Sequence, residues 1–161
     1  MIRMMVHGLT IDPASNSPVL LLKDANSQTT LPIWIGLLEA TSIASELEKV
    51  TFARPMSHDL MRTIIGSLGY TVSKIALVDL QENTFFAELH LMGPGGLVTV
   101  DARPSDAIAL ALRCDAPIFV ALKVIDQAGA AGQQNDHVDT KGKWKDLLER
   151  MSPEDFGKYK M

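Results

Sequence analysis

The chain has 161 residues, a length that suits one domain with a small appendage. Its formal net charge of −4 and pI of about 5.5 exclude a general basic excess, so contact with nucleic acid would require a local patch. The single cysteine, Cys114, excludes an intramolecular disulfide, and its place at the end of an apolar helix predicts a buried, unreactive thiol. We find no signal-peptide pattern and no apolar run of about 18 residues, so we expect a cytoplasmic protein without a membrane span.

The beginning of the chain predicts an antiparallel meander of three strands. Strands are expected at 1–12, 19–23 and 30–35, because turn-forming residues separate these apolar stretches. Pro32 lies within the third strand and indicates an edge strand or a bulge, since proline cannot donate to a β-ladder.

A helix over 37–49 should follow the break at Gly36. One buried face is predicted from the helical spacing of its apolar residues: Leu38, Ala40, Ile43, Ala44 and Leu47. Glu39 falls in the first turn of this helix. It is either a surface acid that satisfies the helix dipole or a carboxylate aimed into a cleft.

A short phrase occurs twice, and each copy leads into an apolar-periodic helix. Ala-Arg-Pro-Met-Ser-His-Asp at 53–59 precedes a helix over 60–68, and Ala-Arg-Pro-Ser-Asp at 102–106 precedes a helix over 107–113. Serine is the expected N-cap in each copy, and aspartate then lies in the first turn. Such residues are common at helix starts, and the arginine can simply pair with the aspartate. The repetition also suggests a duplicated fold whose two corners face each other or a copy in another subunit.

The second half of the chain repeats the order of the first. Strands at 71–80, 84–92 and 97–101 form a second meander, joined by turns at 81–83 and 93–96. The sequence therefore predicts an α+β fold, a duplicated unit of antiparallel β-meander plus helices in a single compact domain.

The C-terminal part is predicted to contain a last strand at 118–125 and then a tail. Segment 126–139 lacks an apolar period and is rich in Gly, Ala, Gln, Asn and Asp, which predicts a mobile linker or arm. A short amphipathic helix is expected at 143–151, with Trp144, Leu147 and Leu148 on one side, and Ser152–Asp155 resembles a further helix start. The predicted domain organisation is a globular domain at 1–129, a flexible linker at 130–142 and a helical tail at 143–161.

The chemistry that the sequence offers comes from acids, arginines and one histidine. We find no phosphate-binding loop, dinucleotide fingerprint, zinc cluster or nucleophile elbow. His58 is a candidate general acid or base, because histidine titrates near neutrality. The alternative is that it only supports the helix start. Arg54 and Arg103 are candidates to hold a phosphate through paired donors.

A carboxylate set provides the candidate metal ligands. Asp59, Asp101 and Asp106, with Glu39, offer hard oxygen ligands for a divalent cation such as Mg²⁺ or Mn²⁺. A metal held in this way activates water and stabilises a phosphodiester transition state. The alternative for Asp101 is that it is the internal partner of the neighbouring arginine.

Four ordered blocks resemble the bifunctional nuclease domain family, long catalogued as a domain of unknown function. The blocks are Leu31–Gly36 followed by Glu39 and Ala40, then Arg54–Leu60, Thr84–Ala87 and Asp101–Ala111. The resemblance covers roughly 1–129, and Pro153–Phe156 is similar to the tail of many bacterial members. It implies an α+β fold in a compact oligomer and nuclease activity on RNA and DNA, the activity assigned to plant members. No agreed mechanism comes with it, so only the block residues can be proposed for the site: Glu39, Arg54, His58, Asp59, Asp101, Arg103 and Asp106.

Two hypotheses of different classes follow. The first is a metal-assisted nuclease acting on RNA and DNA. Its residues would be His58, Asp59, Glu39 and Asp106 for catalysis, Arg54 and Arg103 for the substrate, and Asp59, Asp101 and Asp106 for the metal. The second is a non-catalytic homo-oligomeric module that binds a protein partner or a small anionic ligand, motivated by the acidic pI and the capping roles open to these residues.

Overall fold

A computed structural model of the chain describes residues 1–131 and 143–150. Within these ranges the chain forms seven strands and five helices. In chain order they are β1 (Ile2–Ile11), β2 (Pro18–Asp24), β3 (Thr30–Trp34), α1 (Leu37–Leu47), α2 (Ser57–Ser67), β4 (Thr71–Gln81), β5 (Thr84–Gly93), β6 (Gly96–Ala102), α3 (Pro104–Cys114), β7 (Ile118–Val120), α4 (Leu122–Ala131) and α5 (Lys143–Arg150). No helix in the part of the chain so described has the length and apolar character needed to cross a membrane.

All seven strands belong to one mixed sheet with the order β3-β2-β1-β7-β4-β5-β6. Both predicted meanders are present, β1 to β3 on one side and β4 to β6 on the other. β7 lies between them, antiparallel to β1 and parallel to β4. Pro32 lies on the edge strand β3, where its missing donor costs no ladder bond, as predicted. The α+β prediction is confirmed.

Local turn chemistry explains why the second meander folds back sharply. Glu82 and Asn83 join β4 to β5 with φ angles of 48° and 62°. Positive φ at both central residues is the mark of a type I′ turn, whose twist matches that of the flanking strands. At the other end, Gly69 has φ 77° directly after α2, and the Tyr70 N–H donates to the carbonyl of Ile65. That left-handed residue follows the C-cap Leu68, ends α2 and turns the chain into β4.

The core lies where α1 and α3 pack against each other, with β2 beneath α1 and β4 and β5 beneath α3. Most of α3 is buried, and its alanines allow close approach to neighbouring elements. On α1 the predicted buried face holds for Ala40, Ile43 and Ala44. The prediction is wrong for Leu38 and Leu47, whose side chains are 77% and 38% exposed. Both lie at the ends of the helix.

The two predicted serine caps are also wrong. Met56 is the N-cap of α2, and Ser57 is already helical. Arg103 is the N-cap of α3, because Pro104 has the fixed φ that suits a first helical position. The carboxylate of Asp59 supplies the cap on α2 instead, since its Oδ2 accepts a hydrogen bond of 2.9 Å from the Met56 N–H. The starts of both helices therefore leave their serine hydroxyls out of the capping role.

The C-terminal predictions need two corrections. The strand predicted at 118–125 ends at Val120, and the first part of the predicted mobile segment belongs to α4. The burial of Val124 and Ala128, one helical turn apart, fixes α4 in place against the sheet. The predicted helix at 143–151 is present as α5, with Trp144 and Leu148 buried. The predictions for 132–142 and for Ser152–Asp155 lie outside the described residues.

Candidate active site

The two corners built from the repeated phrase face each other, as one of the two predicted arrangements requires. A cleft of about 470 Å³ opens where the N-terminal ends of α2 and α3 meet the side of α1. Its lining combines apolar and polar side chains. The lining residues are Leu38, Glu39, Thr41, Ser42, Ser45, Phe52, Met56, Ser57, His58, Met61, Arg103, Asp106 and Arg113.

A chain of hydrogen bonds links α1, α2 and α3 across this cleft. Arg103 donates from Nη1 to Glu39 Oε1 at 2.7 Å and from Nε to Asp106 Oδ2 at 2.6 Å. The other oxygen of Asp106, Oδ1, lies 3.1 Å from His58 Nε2. On the far side of the imidazole, His58 Nδ1 lies 2.8 Å from the Ser42 hydroxyl. The sequence separations in this chain are 64, 48 and 16 residues for the contacts that join different helices.

The charge of Asp106 sets the orientation of the His58 proton. Burial opposes ionisation of Asp106, but hydrogen bonds from Arg103 and His58 outweigh it, and the net result is a lowered pKa. An ionised Asp106 only accepts hydrogen bonds, so Nε2 of His58 carries a proton and donates it to Oδ1. In the neutral imidazole the lone pair is then on Nδ1, and the Ser42 hydroxyl donates to it.

A second ion pair, between the cleft residue Arg113 and Asp59, holds the helices together. Arg113 on α3 is 3% exposed at its side chain and donates from Nε to Asp59 Oδ1 at 2.7 Å. Its Nη2 also donates to the carbonyl of Ser42, at 3.2 Å. Burial works against the ionised form of Asp59, yet the bonds from Arg113 and from the Met56 N–H leave its pKa lowered. Arg62 donates to the carbonyl of Arg113 at 3.1 Å and so satisfies the C-terminal end of α3.

Four of the seven residues proposed from the sequence line the cleft, namely Glu39, His58, Arg103 and Asp106. Asp59 lies behind it, bound to Arg113. Arg54 is exposed on the loop that carries the cleft residues Phe52 and Met56, and its side chain forms no ion pair within the described part of the chain. Asp101 lies apart on the exposed strand β6, opposite Glu88 of β5. Arg103 pairs with Glu39 and Asp106, so the alternative that Asp101 is its partner is wrong.

The carboxylates of this region already have cationic partners. Glu39 and Asp106 share Arg103, and Asp59 is held by Arg113. Among residues 1–131 and 143–150, no three His, Cys, Asp or Glu side chains are grouped closely enough to hold a metal ion. The described donor set does not fit a preformed site for a hard divalent cation, which prefers free carboxylate oxygens.

Sequence reasoning missed two residues of the site, Ser42 and Arg113. Ser42 follows Glu39 by three residues on α1 and therefore shares its face, which is a signal that spacing alone could have supplied. Arg113 follows Asp106 by seven residues, two turns along α3, and is 6% exposed despite its charge. A buried arginine needs a paired acid, but only the packing of α2 against α3 shows that Asp59 is that acid.

Comparisons with known proteins place the chain in a family. The family model for the bifunctional nuclease domain matches residues 20–133. An uncharacterized protein of Mycobacterium tuberculosis (strain ATCC 25618 / H37Rv) is 41% identical over 162 residues, covering 94% of this chain and 95% of that protein. Bifunctional nuclease 2 of Oryza sativa subsp. japonica is 31% identical over 118 residues, and Bifunctional nuclease 2 of Arabidopsis thaliana is 30% identical over 110 residues. These matches cover 71% and 66% of this chain but 36% and 33% of the plant proteins. The chain therefore belongs to the bifunctional nuclease domain family.

Proposed function

We propose that this protein is a nuclease that hydrolyses phosphodiester bonds of RNA and DNA in the cleft between α1, α2 and α3. The observation that carries the proposal is the chain Glu39–Arg103–Asp106–His58, which sets a cation beside an oriented imidazole in an open cleft. Membership of a nuclease family supports the same reaction class. A fixed positive charge and a proton-transfer group are the two elements that phosphodiester hydrolysis requires.

Arg103 and Arg54 would hold the substrate phosphate. The Arg103 side chain is 65% exposed and uses Nε and Nη1 for its two acids, which leaves Nη2 for a ligand in the cleft. Arg54 is exposed on the loop beside it. Because the whole chain has a net charge of −4, binding would depend on these two cations and would weaken as salt rises.

His58 would transfer protons during the reaction. The neutral ring presents the lone pair of Nδ1 within the cleft, while Asp106 on Nε2 stabilises the cation that forms when Nδ1 takes a proton. Glu39 would act through Arg103, holding its guanidinium over the cleft from the α1 side. Asp59 would act through Arg113, by fixing α2 and thereby the imidazole.

A requirement for Mg²⁺ or Mn²⁺ stays a prediction. Asp59, Asp101 and Asp106 were the predicted ligands, but two of them are engaged by arginines and Asp101 lies on another face of the sheet. A cation would have to arrive with the substrate phosphate or displace an arginine. Cleavage measured with each cation and with EDTA tests the prediction directly.

A second candidate function has one observation in its favour, an apolar surface along α2. Leu60, Met61, Ile64 and Leu68 are 43% to 67% exposed on this helix. Exposed apolar side chains on one helix mark a protein-binding surface. This surface supports the homo-oligomer proposed from the family resemblance, and also a non-catalytic module that binds a protein partner.

The deciding experiment is cleavage of single-stranded RNA and plasmid DNA by highly purified protein, with Mg²⁺, Mn²⁺ or EDTA. His58→Ala and Asp106→Asn should each lower the rate by at least about 10²-fold, the usual contribution of an acid–base group. The matched control is His7→Ala, because His7 is exposed on β1 and distant from the cleft in the fold. It should cleave like the wild type.

Three outcomes separate the candidates. Loss of cleavage in both cleft variants, with wild-type unfolding temperatures, supports the nuclease. Cleavage that survives in both variants means another site or a contaminant. No cleavage by the wild type under any condition, with stable self-association in light scattering, favours the binding module.

A further inference from the structure

We infer that Ser42 is the nucleophile of this site, activated by His58 and Asp106, and that it attacks the phosphorus of the substrate directly. This inference rests on the proposed function for its substrate. It adds a catalytic residue from α1 that lies outside both repeated phrases.

Both ring nitrogens of His58 already have a hydrogen-bond partner. Nε2 faces Asp106 at 3.1 Å, and Nδ1 faces the Ser42 hydroxyl at 2.8 Å. Because Asp106 is ionised, only Nδ1 can accept a proton. The proton within reach of that lone pair is the one on Ser42 Oγ. His58 can therefore deprotonate this hydroxyl directly, whereas a water molecule would first have to displace it.

The hydroxyl of Ser42 has an unusual hydrogen-bond partner for a serine inside a helix. Such hydroxyls normally donate to the carbonyl four residues earlier, and the neighbouring Thr41 does so, with Oγ1 2.7 Å from the Leu37 carbonyl. Ser42 points across the cleft to His58 instead. Its backbone is held by Arg113, which donates to the Ser42 carbonyl at 3.2 Å. The hydroxyl is therefore aimed by a rigid helix at the base, and Ser42 also lines the cleft.

The arrangement of Ser42, His58 and Asp106 matches the one that nucleophilic catalysis requires. A hydroxyl within hydrogen-bond reach of a base, which is itself oriented by a third group, is the diagnostic constellation. Here these are Ser42, His58 and Asp106, and Arg103 holds the second oxygen of Asp106. The same guanidinium has a free nitrogen for charge that develops on the phosphoryl oxygens. A nucleophile carried by the protein also needs no 2′-hydroxyl, so it serves RNA and DNA alike.

The reaction balances in two steps. Ser42 Oγ forms a bond to phosphorus and gives its proton to His58 Nδ1, while the bond to the leaving sugar oxygen breaks on the opposite side of phosphorus and that oxygen takes a proton from a water molecule. A phosphodiester between Ser42 and the remaining nucleotide results. The hydroxide that remains attacks phosphorus from the side of the departed oxygen, the bond to Ser42 Oγ breaks, and the serine oxygen recovers its proton from His58.

The test combines covalent labelling with cleavage. Diisopropyl fluorophosphate reacts with activated serines and releases fluoride, and it needs no nucleic acid. Full-length wild-type protein should be labelled once, at Ser42 by peptide mass spectrometry, and His58→Ala and Asp106→Asn should slow labelling at least about 10²-fold. Ser42→Ala should lose both the label and cleavage of RNA and DNA. Ser67→Ala is the control, because Ser67 is exposed at the far end of α2.

The outcomes distinguish this inference from the proposed function. Cleavage within about threefold of wild type in Ser42→Ala, together with loss in His58→Ala, overturns the serine nucleophile and leaves the nuclease standing. Labelling at Ser42 that depends on His58, without cleavage of nucleic acid, supports the nucleophile and rejects the substrate. If Ser42→Ala unfolds, acid quenching of the wild type with end-labelled DNA decides the matter. A nucleotide bound to Ser42 supports the inference, and free product without any bound nucleotide overturns it.

Discussion

Replacing Asp59 by asparagine should destabilise the protein far more than replacing its partner Arg113 by methionine. In wild type the Arg113 side chain is 3% exposed and that of Asp59 is 37% exposed. Asparagine keeps an oxygen for the Met56 N–H but removes the charge that neutralises the guanidinium. Arginine cannot lose its proton in a protein, so the variant buries an unpaired cation. We expect a cost of about 3 kcal/mol, the lower end for breaking a buried pair, because Arg113 keeps two carbonyl acceptors.

The opposite change removes the buried charge itself. In Arg113→Met the carboxylate of Asp59 is left without its partner, but its exposed part can be hydrated. The carbonyls that Arg113 contacts belong to helices and keep their helical donors. Methionine fills much of the space with an apolar chain, so we expect a cost of only about 1 kcal/mol.

Urea unfolding followed by circular dichroism measures the free energy of unfolding of both variants. The comparison requires that this free energy falls with urea concentration at the same slope in each protein. In the control Asp79→Asn, the pair with Lys123 is broken, but Lys123 is 57% exposed, so the loss should stay below about 1 kcal/mol. A free energy of unfolding for Asp59→Asn within about 0.5 kcal/mol of wild type would contradict the prediction, and so would a larger loss in Arg113→Met.

Three further predictions concern pH, glycine positions and assembly. The folded pKa of Asp59 lies below the ordinary value of 3.8, so its stabilisation is complete well above that pH and is lost as pH falls through the folded pKa. Unfolding temperatures from pH 6 to pH 3 should therefore fall more in wild type than in Asp59→Asn. In Gly93→Ala the new methyl group meets the ring of Tyr70 and should cost about 1–3 kcal/mol, whereas Gly66→Ala, with open space on α2, should gain about 0.5 kcal/mol, both measured by urea unfolding. Ile64→Lys should lower the mass seen by light scattering without lowering the unfolding temperature, because Ile64 is 48% exposed.

Each of these has a clear contrary result. If the unfolding temperatures of wild type and Asp59→Asn fall equally from pH 6 to pH 3, the Asp59 carboxylate has the same pKa in the folded and unfolded chains. Equal effects of the two glycine variants would remove the Tyr70 contact as the cause. An unchanged mass for Ile64→Lys would exclude the α2 surface from any self-association.

The fold was predictable from the sequence to the extent that local chemistry determines it. The meanders follow from turn residues such as Glu82 and Asn83 and from the apolar stretches between them. By contrast, α4 was predicted as the end of a strand and the start of a mobile segment, because its anchoring depends on two apolar side chains, Val124 and Ala128, among small and polar residues. Composition cannot show that these two meet a sheet built from distant parts of the chain.

The site residues also fall into those that the local sequence predicts and those that depend on tertiary packing. The repeated phrase located two corners, because arginine, proline and aspartate at a helix start have strong local meaning. Which residues complete them depends on how α1 and α3 pack, and the Arg113–Ser42 contact spans 71 residues. Spacing puts Ser42 on the same helical face as Glu39, but the sequence does not show that its hydroxyl meets His58, because the tertiary fold creates that contact.

The position of β7 determines when the sheet can be completed as the chain is synthesised and folds. Its three residues pair with β1 on one side and β4 on the other, and they are the sole strand that joins the two meanders in the described sheet. During synthesis both meanders leave the ribosome before residue 118, so each holds an unsatisfied edge until β7 follows. Chains that stop short of Ile118 should therefore aggregate through these edges. The cleft needs α1, α2 and α3 packed together, so it should form only when β7 joins the two meanders.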